Sequence, residues 1–116
     1  METVDTTKIS PDLAHIAQAL RALYDACAAA SASQPAKRKE MDDSSKRLGV
    51  LLWKLAAGEV SGSVIAKLKA LAQALDAYDF AAAQQSQMAL TTGDWDECSV
   101  WLTALKRLTK LRATLP

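Results

Sequence analysis

The sequence predicts an all-α fold, a five-helix antiparallel bundle forming one domain. Three observations carry that expectation. Half of the 116 residues are hydrophobic, and many of these are Ala or Leu, which are strong helix formers. Apolar residues recur at spacings of three and four in successive stretches, each bounded by a capping residue, a proline or a glycine. No alternating run of β-branched residues marks a strand. A chain of this length has room for one compact core and not comfortably for two.

Residues 1–9 read as a flexible lead-in and residues 10–116 as the bundle domain. Ser10-Pro11-Asp12 offers a hydroxyl cap, a proline at the first helical position and an acid in the first turn. Leu13, Ile16, Leu20, Leu23 and Cys27 then follow at helical spacing, so the first helix spans about 11–30. "SASQP" breaks it. A second helix begins near Pro35 or Ala36. Its first half, "AKRKEMDDSSKR", is polar and is expected to project beyond the core or to lie along a solvated face. Met41, Leu48, Leu51, Leu52 and Leu55 supply its apolar stripe, and Gly58 suits the position just past its end. Ser61 can cap a third helix with Val64, Leu68, Leu71 and Leu75 inward. Asp79 can cap a fourth with Phe80, Ala83 and Met88 inward, closed by Gly93. The fifth runs from about Trp95 to Thr114, with Trp95, Cys98, Trp101, Leu102, Leu105, Leu108 and Leu115 on one face. Short turns between neighbours favour a bundle. Alanines on inner faces would let the helices approach closely, with Leu and Trp filling the larger gaps.

Charge and composition exclude several functions. Fourteen basic residues against thirteen acidic ones leave a net charge of +1, too weak a field to argue for nucleic acid or a membrane surface. No apolar run approaches the ~20 residues of a membrane span. The start, "METVDTTKIS", lacks the apolar core of a secretory signal. Cys27 and Cys98 are too few for a disulfide scaffold and sit in apolar helical patterns, so both are expected to be reduced in a cytosolic protein.

The segment "GDWDECSVWLTALKRLTKLR" invites a chemical reading. Asp94, Asp96, Glu97 and Cys98 could be metal ligands. Zinc sites, however, draw on several Cys or His at defined spacings, and the single histidine, His15, is far away in sequence. Asp94 and Glu97 have the spacing of a capping box, with Asp in place of Ser or Thr, and the acids suit the positive end of a helix dipole. His15 and Cys27 lie three turns apart on one helix, roughly 18 Å, and cannot touch. His15 with Cys98 is geometrically open but has no motif behind it. "AAGEVSG" lacks the pattern and the preceding strand of a phosphate loop. No catalytic, cofactor-binding or metal residue is therefore assigned, and an enzyme is disfavoured.

Lys37, Arg38, Lys39, Lys46 and Arg47 form the densest basic stretch and the candidate partner-binding surface. Glu40, Asp42 and Asp43 lie among them at ion-pairing distances along a helix and cancel part of the field. Lys106, Arg107, Lys110 and Arg112 form a second basic run in the last turns of a helix, where cations are favoured.

Two stretches carry a family resemblance: "KRKEMDDSSKRLGVLLWKLAAGEVSGSVIAKLKALAQALDAYDFAAA" from Lys37 to Ala83, and "LTTGDWDECSVWLTALKRL" from Leu90 to Leu108. With the helix before them, about residues 8–114, they resemble the C-terminal helical domain of the larger outer-coat subunit of COPII vesicles, the Sec thirty-one protein. The same domain family includes the steroid receptor RNA activator protein. The second stretch is most similar to plant and green-algal versions. The shared residues are mostly packing and capping residues.

The resemblance implies a five-helix bundle and an interaction module at endoplasmic reticulum exit sites and COPII vesicles. Its partners would be other coat subunits, with no small-molecule substrate and no cofactor, and it would meet the membrane only through the coat. It also implies a domain excised from a longer subunit, with Met1 an artificial start. The stimulation of GTP hydrolysis associated with the subunit's proline-rich segment does not carry over to this chain. The alternative is an RNA-binding or transcriptional co-regulator module. The near-neutral charge and the lack of exposed aromatic residues interleaved with basic ones argue against it.

Overall fold

The computed structural model describes residues 8–115. They form five α-helices: α1 (Pro11–Ser31), α2 (Pro35–Ala57), α3 (Gly62–Asp76), α4 (Phe80–Gly93) and α5 (Trp95–Ala113). No strand occurs among the described residues. The fold is all-α, a five-helix bundle, as the spacing of apolar residues predicts. Of the lead-in, residues 1–7 lie outside the described residues, and Ile9 is buried in the core.

Pro11 starts α1 with Asp12 in its first turn. Ser10 is extended, but its side chain makes no cap bond. Ile16, Leu20, Leu23 and Cys27 are buried as expected. On α2, Met41, Leu48, Leu51, Leu52 and Leu55 are buried. Its polar half does not project past the core. Met41 and Ser44 are buried there, and Glu40 and Asp43 are paired to α5. Gly58 closes α2 at φ +72°, the left-handed region where a side chain is strained. Its N–H donates to the Leu55 carbonyl at 3.3 Å, and Glu59 N–H to Lys54 at 2.9 Å.

Ser61 caps α3 by accepting from Val64 N–H at 3.4 Å. Asp79 caps α4 by accepting from Ala82 N–H at 3.1 Å. Between them Tyr78 takes a φ of 55°, rare for a residue with a side chain, and so makes the turn from α3 into α4.

The core centres on α5, which packs against α1, α2 and α4, while α3 packs against α1 and α4. Trp101, Leu102, Leu105 and Leu108 are almost wholly buried, as are Cys98 of α5 and Leu68 and Leu71 of α3. Antiparallel packing of α4 on α5 is marked by a buried polar pair, in which Gln87 Nε2 donates to Thr109 Oγ1 at 2.7 Å.

Expectations at four residues are corrected. Trp95 is 45% exposed, because it stands at the first position of α5, where the core layer ends. Met88 is 62% exposed. The inward face of α4 is Ala83, Gln87 and Leu90, spaced by four and three, so Met88 is turned about 100° away from Gln87. The polar Gln87 takes the inward place, where its amide N–H donates to Thr109 Oγ1. Phe80 and Leu115 are only half-buried, and Leu115 lies beyond the end of α5.

Candidate interaction surface

Pro35 opens α2, so Lys37, Arg38 and Lys39 fall at the start of the helix, with no acid in its first turn. That end of a helix carries partial positive charge from its unpaired N–H groups. Lys37 and Arg38, within the first turn, are unfavourable there by roughly 0.3–1 kcal/mol each at low ionic strength, and Lys39, one residue further on, by less. Arg38, Lys39 and Lys46 are exposed and Lys37 is half-buried.

Two of the three acids that share this segment, Glu40 and Asp43, turn toward α5 and Arg47, while Asp42 is exposed. Asp43 accepts from Arg107 Nη2 of α5 at 3.0 Å and from Arg47 Nε at 2.9 Å. Glu40 lies 3.7 Å from Arg107 Nε. Arg47 also donates to the Val100 carbonyl at 2.8 Å. The hydrogen bond from Arg107, reinforced by Arg47, holds the Asp43 carboxyl below its usual range. The five basic residues therefore divide. Arg47 joins the strap between α2 and α5. Lys37, Arg38, Lys39 and Lys46 take part in none of the ion pairs among the described residues. The neutralisation expected from Glu40 and Asp43 is largely spent on Arg107 and Arg47.

Asp94 and Glu97 do not form the expected capping box, and the Asp94 side chain makes no cap bond. Both reach across to α3 instead. Asp94 pairs with Lys67 and accepts from Ser63 Oγ at 3.3 Å, and Glu97 accepts from Ser61 N–H at 2.9 Å. Lys67 crosses beside Gly93, where an added Cβ would come within 2.9 Å of its Nζ. Sequence spacing suggested a cap, but the three-dimensional outcome is a tie between the starts of α3 and α5.

The other chemical candidates are also placed. Among the described residues no group of three or more His, Cys, Asp or Glu could hold a metal ion. Cys27 and Cys98 are buried free thiols, and burial pushes each up to about 11. For Cys98 the neighbouring Glu97 and Asp94 add to the effect. Cys27 donates to the Leu108 carbonyl at 3.3 Å. A thiol so far above neutrality is a poor nucleophile. His15 engages Asp76 of α3 rather than a cysteine. No helix among the described residues is long and apolar enough to cross a membrane.

One expectation about aromatic residues is overturned. Trp53 and Tyr78 are 57% and 67% exposed, and the Arg112 guanidinium lies 5.2 Å from the Tyr78 ring centroid. An aromatic and a basic residue do interleave at the surface there. The helical period misplaced neither residue, since neither stands on an inward stripe.

Comparison with known proteins addresses what charge geometry leaves open. The model of the family described as Steroid receptor RNA activator (SRA1) matches residues 2–115. The chain belongs to that family. Relatives within reach are transport proteins. The chain is 39% identical over 110 residues, 91% of its length, to Protein transport protein SEC31 homolog B of Arabidopsis thaliana. It is 30% identical over 113 residues, 97% of its length, to Protein transport protein SEC31 of Chaetomium globosum. These matches cover 10% and 9% of the two relatives, so the chain spans about a tenth of their length. No solved structure matches. The resemblance carried by residues 37–83 and 90–108 is thus shown for nearly the whole chain. Within the family's bundle, Leu20, Leu51, Leu55, Leu68, Leu71, Cys98, Trp101, Leu105 and Leu108 are core positions of this member.

Proposed function

We propose that the chain is a protein–protein interaction module of the COPII vesicle coat, one that helps link outer-coat elements during transport from the endoplasmic reticulum to the Golgi. The observation that carries this is the similarity to SEC31 transport proteins over more than nine-tenths of the chain. Its partners are other coat subunits. It works at the cytosolic face of exit sites and vesicles and meets the membrane through the coat.

Lys37, Arg38, Lys39 and Lys46 are the contact we assign. Two features support them: they are accessible, and the first three sit where helix electrostatics disfavours them. A residue pattern that breaks a local rule without a local gain points to a role outside the fold. A weak contact suffices for a module tethered in many copies, because effective concentration multiplies it. The partner surface is acidic, and the contact weakens with added salt.

The test is capture of purified coat subunits and their fragments by this domain, with Lys37→Glu, Arg38→Glu and Lys39→Glu combined as the control. Capture of outer-coat subunits by the native chain, lost in the variant, is the expected result. Unchanged capture by the variant removes this surface. Binding to structured RNA or to unrelated nuclear proteins alone, with no coat subunit retained, overturns the coat reading.

A further inference from the structure

A second surface is independent of the first. A groove of about 580 Å³ runs between α4 and α5, and the residues lining it include Phe80, Gln84, Met88, Lys106 and Lys110. It shares no residue with the basic segment of α2. Three observations bear on what it holds. First, α4 is the only one of the five helices without a charged residue, although it lies at the edge of the bundle and packs chiefly on α3 and α5. Solvated helix faces normally carry charge, whereas the centres of interfaces lack it and are enriched in Met and aromatic residues. Second, Met88 stands exposed over the groove with Phe80 half-buried beside it. A flexible thioether adapts to apolar partners. Third, the lining side chains include two lysines and no acid, and neither lysine joins an ion pair among the described residues.

We propose that this groove docks a short amphipathic helix of a partner protein, one with acidic residues beside its apolar stripe. From Phe80 to Thr91 the floor runs about 17 Å, or three helical turns, which fits anchors at i, i+3, i+4 and i+7. The apolar anchors seat against Phe80 and Met88. The acids face Lys106 and Lys110 at the rim. In the floor Gln87 Nε2 donates to Thr109 Oγ1 and the Thr109 hydroxyl donates to the Leu105 carbonyl, which leaves the Gln87 amide oxygen to accept from a polar side chain of the docked helix.

The experiment selects peptides of about sixteen residues from a random display library on the immobilised domain and measures the winners by titration. We expect winners with apolar residues at helical spacing and Asp or Glu on the flanks. Their affinity falls at least about tenfold on Met88→Glu and likewise on the combined Lys106→Glu and Lys110→Glu. It is unmoved by Lys37→Glu with Lys39→Glu. Met88 and Lys110 are exposed, and an unchanged melting temperature in each variant confirms that the fold is kept. Basic winners, no winners, or winners insensitive to both groove variants overturn the proposal. A concentration-dependent dimer that Met88→Glu dissolves also overturns it, because a second copy then covers the groove. Loss of coat capture in the α2 variant with peptide binding intact separates this site from the coat contact.

Discussion

The last turn of α5 and the first five residues of α2 hold the same kinds of side chain in opposite electrostatic settings. Lys110 and Arg112 lie where backbone carbonyls are unpaired and cations are favoured. Lys37, Arg38 and Lys39 lie at the opposite pole of a helix with no acid in its first turn. The α5 pattern is what a stable helix end looks like and calls for no further explanation. On α2 the pattern works against the helix, so folding alone does not account for it. A charge therefore informs about function in proportion to how poorly local structure explains it.

The contrast can be sharpened by comparing stability with binding. The largest effect belongs to the core that both regions flank. Trp101→Ala is expected to cost ~3–5 kcal/mol, since the side chain is almost wholly buried on α5. A urea melt with an unchanged midpoint would contradict this. Gly58→Ala comes next, at about 1–2 kcal/mol, because it forces a side chain into the left-handed region at φ +72° while meeting no neighbour. The cost is therefore conformational, and Gly58→Asn should recover part of it in the same melt.

Asp43 ties the two helices, and its effect depends on pH. Its carboxyl is held below the ordinary 3.8 by Arg107 first and Arg47 second. The unfolded chain binds this proton more readily, so the contribution is present above about pH 4 and is lost as pH falls through the lowered value. Thermal melts between pH 5 and pH 2.5 should show that loss, and Asp43→Asn should reduce its slope. An equal slope in the variant would mean that the strap does not form. Smallest of all, Gln at Lys37, Arg38 and Lys39 together should leave stability unchanged or raise it by less than about 1 kcal/mol at low salt. Relief from the dipole is the main change, because none of the three joins an ion pair among the described residues. A clear fall in melting temperature would show that these lysines and arginine serve the fold after all.

Much of the fold was legible because helix starts and stops are local. Ser61, Asp79 and Gly58 perform the roles their residue types announce, and the stripes on α1, α2 and α5 bury nearly as spaced. Trp95 and Leu115 were missed because they stand at or beyond the ends of α5, but the other misses at Asp94, Glu97 and Met88 share one cause: a partner distant in sequence overrode a local rule. Asp94 and Glu97 have the spacing of a cap, yet Lys67, Ser63 and the Ser61 N–H from α3 claim them. Met88 is apolar but lost its inward place to Gln87, for which Thr109 was waiting twenty-two residues on. The candidate site shows the same limit. Its basic residues were visible in the sequence, but the turning of Glu40 and Asp43 toward α5 was not, because nothing local announces Arg107 as their partner. Lys106 and Lys110 read as ordinary charges near a helix end until the uncharged α4 was placed beside them.

The central claim is that Lys37, Arg38 and Lys39 serve a partner rather than the fold. Capture of purified outer-coat subunits by the native chain and by the variant carrying Lys37→Glu, Arg38→Glu and Lys39→Glu, with both proteins melted in parallel, tests it most directly. The expected result is loss of capture with the melting temperature unchanged or higher. Capture at the native level by a folded variant would contradict it.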